Sequence, residues 1–359
     1  MSNTALNPKM ISSGGSERRN TSTFGRRELL EILGPLALSI GVTLVLFLVT
    51  PLDGALGFFI VAFAMFLITF YVTVRKARGA KHGMDRVVSV GITLAALITA
   101  TPLVLIVWTV FQKGLPGLTL NTFTKTLVGV DPGADPKTGG LLHALTGTLI
   151  QVGFATLVSV PFGVGTAVYL NEIKGPFTNI VRILVDAMSG IPSIVAGLFI
   201  YTVWVVGPGH GFSGFSASLA LAILMLPTIA RTTEEMLRLV DPGLRESSLA
   251  LGSSQWRTVA MVVLPTARAG IVTAVILGIA RVAGETAPLL MTAFGADKVV
   301  GPIAALHAPQ SALPLFIFQQ FAQDQRQRAW TGALVLILLV LVLFVIARVI
   351  GKDRTKRTR

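Results

Sequence analysis

RAGIVTAVILGIARVAGETAPLLMTAF, residues 268 to 294, is the stretch on which the fold turns. After its leading arginine it holds only two charges, Arg281 and Glu285, set in an apolar run long enough to cross a bilayer. A spanning helix needs about 20 apolar residues. On one continuous helix, residues four apart lie about 40° apart around the axis and about 6 Å along it. Arg281 and Glu285 are therefore expected to share a face. Each charge alone costs about 2.5–3.5 kcal/mol at mid-membrane, so such residues face a bundle interior or a wet cavity.

The rest of the chain belongs to the same class. Of its 359 residues, 52% are hydrophobic and 13% charged, against about 25% charged in soluble domains. A mean hydropathy of +0.74 agrees. Further uncharged runs cover 32–50, 54–74 and 87–112, and another lies within 138–171, beginning near His143. The run 187–230 has room for two spans, with GPGHGFSG (207–214) as the turn between them. Spans over 269–292 and 329–347 bring the expected total to eight. The fold class is then all-α and integral to the membrane.

Charge sets the orientation. With the first span running outward, 23 of the 30 Lys and Arg fall on inner segments, 6 on outer segments and one, Arg281, in the membrane. The positive-inside rule then places both termini in the cytoplasm. Basic residues beside anionic lipid account for the net charge of +13 without nucleic acid. The GRRELL around Arg26 and Arg27 lacks a following small-residue cleavage site and reads as the flank of the first span. The expected organisation is a polar tail (1–31), a two-helix hairpin (32–74), a basic linker (75–86), a main bundle of six helices (87–350) and a basic tail (351–359). The apolar outer segment 295–328 either lies along the surface or dips into the bundle mouth.

Several chemistries are excluded or unsupported. There is no cysteine, so no disulfide or thiolate site. His82, His143, His210 and His307 show no paired ligand spacing. No G-x-x-x-x-G-K-[ST] is present, so the chain carries no P-loop of its own, and no nucleophile–base pattern appears. The chain is not expected to be an enzyme by itself.

The segment 231–265, ending in VVLP, is unlike a linker. Asp241 followed by Pro242 marks a helix start. LRESSLAL gives about two turns, Gly252 breaks them, and Ser253 or Ser254 can cap a second helix bearing Trp256 and Arg257. Such a knob either packs on its own bundle or docks a soluble partner. Span five holds another feature: Gly190 and Pro192 in SGIPSIVAGL interrupt it, and Gly197 permits close helix approach. That interruption is a packing kink or a hinge for a gate.

These segments carry a resemblance. ESSLALG (246–252), then nine residues, then VVLP (262–265) resembles the E-A-A-x-x-x-G-x9-I-x-L-P loop of ABC-importer permeases. Glu246, Gly252, Leu264 and Pro265 match, while serines replace both alanines and valine the isoleucine. LPTIARTTEEMLRLVDP (226–242), SGIPSIVAGLF (189–199) and ARVAGETAPLL (280–290) are similar to segments of PstA-type permeases of phosphate importers. The resemblance spans about 140–350 and implies a six-helix permease core, to which the first two spans are an addition. It implies that Glu246, Gly252, Leu264 and Pro265 couple to a separate ATPase holding ATP and Mg, present in two copies. It also implies a PstC-like second permease, an extracytoplasmic phosphate-binding protein, a bacterial inner-membrane location and no cofactor in this chain.

The resemblance further implies that Arg281 and Glu285, at the matching positions, contribute to phosphate passage. Arginine's planar fork suits a tetrahedral oxyanion and keeps its charge. Glutamate can accept a hydrogen bond from a protonated phosphate oxygen or hold the arginine until substrate arrives. The other reading of the pair is a structural tie, although Arg before Glu is the weaker order for support within a helix. Importers of molybdate or sulfate, an ATP-independent anion transporter, and a signalling subunit without transport are the rival functions.

Overall fold

The computed structural model describes residues 26–50, 54–131 and 133–351. Most of the expected N-terminal tail, and all but the first residue of the C-terminal one, lie outside these. Among the described residues the regular structure is helical, with one isolated bridge between Phe294 and Gln310. In chain order the helices are α1 (Arg26–Val49), α2 (Ala55–Arg78), α3 (Ala80–Gly114), α4 (Leu120–Thr124), α5 (Leu142–Val168), α6 (Thr178–Ser189), α7 (Ser193–Ile200) and α8 (Gly214–Arg238). They continue as α9 (Pro242–Ala250), α10 (Gln255–Thr258), α11 (Leu264–Thr266), α12 (Arg268–Val282), α13 (Ala287–Thr292), α14 (Leu313–Ala322) and α15 (Arg326–Gly351).

Two compact units divide the chain, Met1–Val104 and Leu105–Arg359, so the boundary falls inside α3. In the first, α1 and α2 form a hairpin. Ser39 and Thr43 are fully buried and return their hydroxyls to Leu36 and Ser39 carbonyls, both at 2.8 Å. Thr69 reaches across to the Pro35 carbonyl at 3.3 Å. Helices in lipid gain little from apolar burial and associate by close van der Waals contact and such hydrogen bonds.

The second unit centres on α8. One side of it buries Ala217, Leu221, Leu224, Met225 and Ile229 against Ala155 of α5, Val282 of α12, Leu289 of α13 and Leu315 of α14. A second cluster joins Ala167 and Val168 at the end of α5 to Leu237, Val240, Val259 and Val263. The apolar segment 295–328 turns into the bundle: Leu313, Leu315 and Phe316 are buried, and the Leu313 N–H donates to Thr148 of α5 at 2.7 Å. The Gly214 N–H at the start of α8 donates to the Ala308 carbonyl at 3.2 Å, tying this region to α8, and Ser216 donates to the Thr292 carbonyl of α13 at 2.9 Å.

Among the described residues, six helices are long and apolar enough to cross a membrane, and two bent pairs raise the number to eight if each pair is one span. The bent pairs are where the structure departs most from straight runs. Span five, expected to begin near Ala187, falls instead on a bent pair, α6 (Thr178–Ser189) followed by Ser193–Val206 at 105° to it. Pro192 has no N–H for the carbonyl one turn earlier, so the helix cannot run through. The arm Ser193–Val206 covers only about 21 Å at 1.5 Å per residue. Before expected span seven, residues 255–266 meet α12 at 71°. That span itself stops at Val282, turns through Ala283 to Thr286 and resumes as α13. Pro288 cannot donate to the Gly284 carbonyl, and Gly284 itself disfavours helix.

Candidate substrate path and coupling knob

The break after Val282 changes the geometry expected for Arg281 and Glu285. Arg281 sits in the last turn of α12, whereas Glu285 lies in the irregular turn beyond it. They share no continuous helix face and form no ion pair. Arg281 is exposed and its Nη1 donates to the Thr228 hydroxyl of α8 at 3.1 Å. Among the described residues no carboxylate pairs with it. A guanidinium on an apolar helix thus has a neutral hydroxyl as its hydrogen-bonding neighbour, which leaves its charge available to an anion.

The breaks in the two interrupted spans position this corner. α7, which follows Gly190 and Pro192, packs against α13, which follows the break beyond Arg281. A Cβ on Gly197 would lie 2.6 Å from the Pro288 Cα. Only a residue without a side chain permits that approach. Gly190 has an ordinary right-handed φ of −90° and room for a side chain, so Pro192 is the residue that enforces the bend.

One turn along α8 from Thr228 begins an ionic cluster. Glu234, with a side chain 3% exposed, accepts from Arg182 of α6 at 2.9 Å and from Arg238 at 2.6 Å. Arg231 lies 3.5 Å from the same carboxylate and also pairs with Asp186 of α6. Burying a carboxylate is costly unless it is paired and hydrogen-bonded. Three arginines meet that requirement here, and the Arg182–Glu234 and Arg231–Asp186 pairs lash α6 to α8.

The knob follows. Asp241 caps α9 by accepting from the Gly243 N–H at 2.8 Å. Gly252 turns the chain with φ +82°, in the left-handed region that glycine adopts freely. Ser254 stands at the start of α10, where its side chain makes no capping bond. Ser248 instead bonds Thr258 at 2.9 Å and ties the two short helices together. No residue of α9 is buried, and Leu251 and Trp256 are 88% and 68% exposed. The ionic fastening of the knob to the bundle is Arg245, which forks onto Glu172 at 2.7 and 3.0 Å, and Gln255 adds a bond to the Glu172 carbonyl at 2.6 Å.

Comparison with known proteins decides the family. Residues 159–356, more than half the chain, match the model of the binding-protein-dependent transport system inner membrane component. The chain belongs to this family. It is a multi-pass inner-membrane permease. The phosphate transport system permease protein PstA 1 of Mycobacterium tuberculosis strain H37Rv is 39% identical, over 73% of this chain and 86% of that protein. PstA of Mycobacterium leprae is 41% identical (68% and 81% covered), and PstA of Pasteurella multocida 39% (70% and 88%). An inward-facing MetNI methionine ABC transporter chain covers 59% of this permease at 22% identity, with a TM-score of 0.48.

Within the permease, the structure brings Arg281 to Thr228 rather than to Glu285. Glu246 and Gly252 lie exposed on the knob, while Leu264 and Pro265 form the short α11 leading into α12. Sequence reading passed over Thr228, Glu234 and its arginines, and the Glu172–Arg245 fork. Glu234 before Arg238 is the favourable i,i+4 order on a helix. That spacing signalled that α8 continues past the uncharged run.

Proposed function

We propose that this chain is the transmembrane permease subunit of an ATP-driven importer of inorganic phosphate. The observation that carries the proposal is the exposed Arg281, held by a neutral hydroxyl at the break of a membrane helix. A fixed cation of this geometry suits a tetrahedral oxyanion. Relatives 39–41% identical over about 70% of the chain bear the name of phosphate transport system permeases, which narrows the anion to phosphate.

In this reading the chain crosses the membrane eight times, each bent pair counting once, with both termini cytoplasmic. A PstC-like second permease covers the face that exposes Arg281, and the anion passes between the two. Glu285, across the turn, accepts from the protonated oxygen of phosphate. An extracytoplasmic binding protein delivers the substrate. Two copies of an ATPase, holding ATP and Mg, seat on the knob through the surface around Glu246 and Gly252, and Leu264 and Pro265 carry its movement into α12. The bend at Gly190 and Pro192 serves as the hinge of a gate. Hydrolysis takes place in the partner, and this chain is non-catalytic.

The test is transport in the assembled complex. Arg281→Gln is expected to abolish phosphate uptake while the ATPase still assembles with the permease. Wild-type uptake in that variant removes Arg281 from the path. The anion is identified by which of phosphate, sulfate and molybdate stimulates ATP hydrolysis.

A further inference from the structure

Arg245 stands at the junction of three elements. Its Nε and Nη2 grip Glu172 Oε2 and Oε1 at 3.0 and 2.7 Å, Nη2 also reaches the Leu237 carbonyl at 2.7 Å, and Nη1 reaches the Val240 carbonyl at 2.7 Å. Glu172 lies in the π-helical turn Tyr169–Ile173 that ends α5, and Leu237 and Val240 close α8. The Glu172 backbone carbonyl accepts from Gln255 of α10 at 2.6 Å, and Asn171 steadies the same carboxylate at 2.7 Å. The pair is largely buried, with side chains 7% and 21% exposed. Everything else on α9 is exposed or half-buried, and Ser248 binds the knob internally.

A knob with a hydrogen-bonded interior and one ionic fastening moves as a body about that fastening. A force applied to its exposed face reaches the bundle through Arg245, beside the route along the chain through Leu264 and Pro265. Glu172 passes it to α5, and the two carbonyls pass it to the end of α8. α8 in turn carries Thr228, the partner of Arg281. From this geometry we infer that Glu172 and Arg245 are positioning residues that transmit movement of the knob to the anion path. They touch neither nucleotide nor anion. The inference rests on the proposed importer function.

The experiment measures phosphate taken up per ATP hydrolysed, in vesicles holding the whole complex. The variants are Glu172→Gln, Arg245→Gln, Arg245→Lys and the double Glu172→Gln/Arg245→Gln. Glu172→Gln and Arg245→Gln are each expected to keep the ATPase bound and still hydrolysing, while uptake per ATP falls about tenfold, within the usual range of coupling between sites. The double variant is expected to be no worse than the worse single one, because one linkage is lost either way. Arg245→Lys retains charge without the fork and is expected to lose less than Arg245→Gln. Uptake and hydrolysis falling in equal proportion overturns the inference, as do additive losses in the double variant. Loss of the ATPase even from Arg245→Lys does the same, since the pair then only folds the knob. A wild-type complex stimulated by sulfate or molybdate instead of phosphate counts against the proposed substrate alone, and the same ratio is then read with that anion.

Discussion

At Arg281 the local surroundings, more than the residue type, set what the side chain can do. An i,i+4 partner on the same helix would neutralise it, but the helix ends one residue later and leaves Glu285 in a turn. Arg281→Lys is therefore expected to reduce uptake strongly, because an ammonium keeps the charge and loses the two-pronged geometry. Uptake assays at matched membrane levels check this, and Lys performing like Arg would mean that charge alone suffices. Gly197 poses a packing question. Its missing side chain lets α7 rest on Pro288, and an added Cβ would meet that backbone at 2.6 Å. Overpacking of this kind typically costs about 1–3 kcal/mol, while Gly to Ala gains up to about 1 kcal/mol in helix propensity. Gly197→Ala is expected to lower the thermal midpoint of the detergent-solubilised protein, and Gly197→Val to lower it further.

Among the elements, the knob illustrates how two short helices of 9 and 4 residues hold a shape without a core of their own. Isolated helices of this length are marginal in water. Capping by Asp241, the Ser248–Thr258 bond and the left-handed Gly252 supply what length cannot. Nothing lies within 4 Å of a Cβ placed on Gly252, so its requirement is conformational rather than steric. Gly252→Asn is thus expected to be tolerated better than Gly252→Val. Asparagine visits the left-handed region readily, and a β-branched residue there is a strained outlier. The measurement is ATP-driven uptake together with ATPase retention on purification. Equal behaviour of the two variants would show that the turn relaxes to another conformation.

Considered as a whole, the molecule concentrates its buried clusters in one unit. Among the described residues, the three clusters lie between Leu118 and Leu339, within Leu105–Arg359. A chain lacking residues 1–79 is expected to keep the thermal midpoint of that unit and to retain the ATPase. Failure of the truncated chain to accumulate in membranes or to hold the ATPase would assign α1 and α2 a part in folding or assembly. Much of the architecture was legible beforehand, because lipid imposes one strong rule: polar backbone must be satisfied within helices. Uncharged runs therefore located α1, α2, α3, α5, α8 and α15, and Asp-Pro with a later glycine located the knob. The ends of α8 and α12 were not legible to the same degree. A helix continues or stops there according to neighbours that accept its charges or its proline.

Residue order alone dictates an all-helical membrane protein, the existence of the breaks at Pro192 and Gly252, and the residue types available for holding an anion. Composition and period suffice for that, since each is a property of a segment in a given solvent. The tertiary structure alone decided which charges are neutralised. Glu234 gathers Arg182 of α6 as well as its own-helix neighbours Arg231 and Arg238, and Glu172 takes Arg245 from 73 residues away. Arg281 is left with Thr228, 53 residues distant. Electrostatic energy depends on separation in space and on local dielectric, and neither is written in the spacing of residues along the chain.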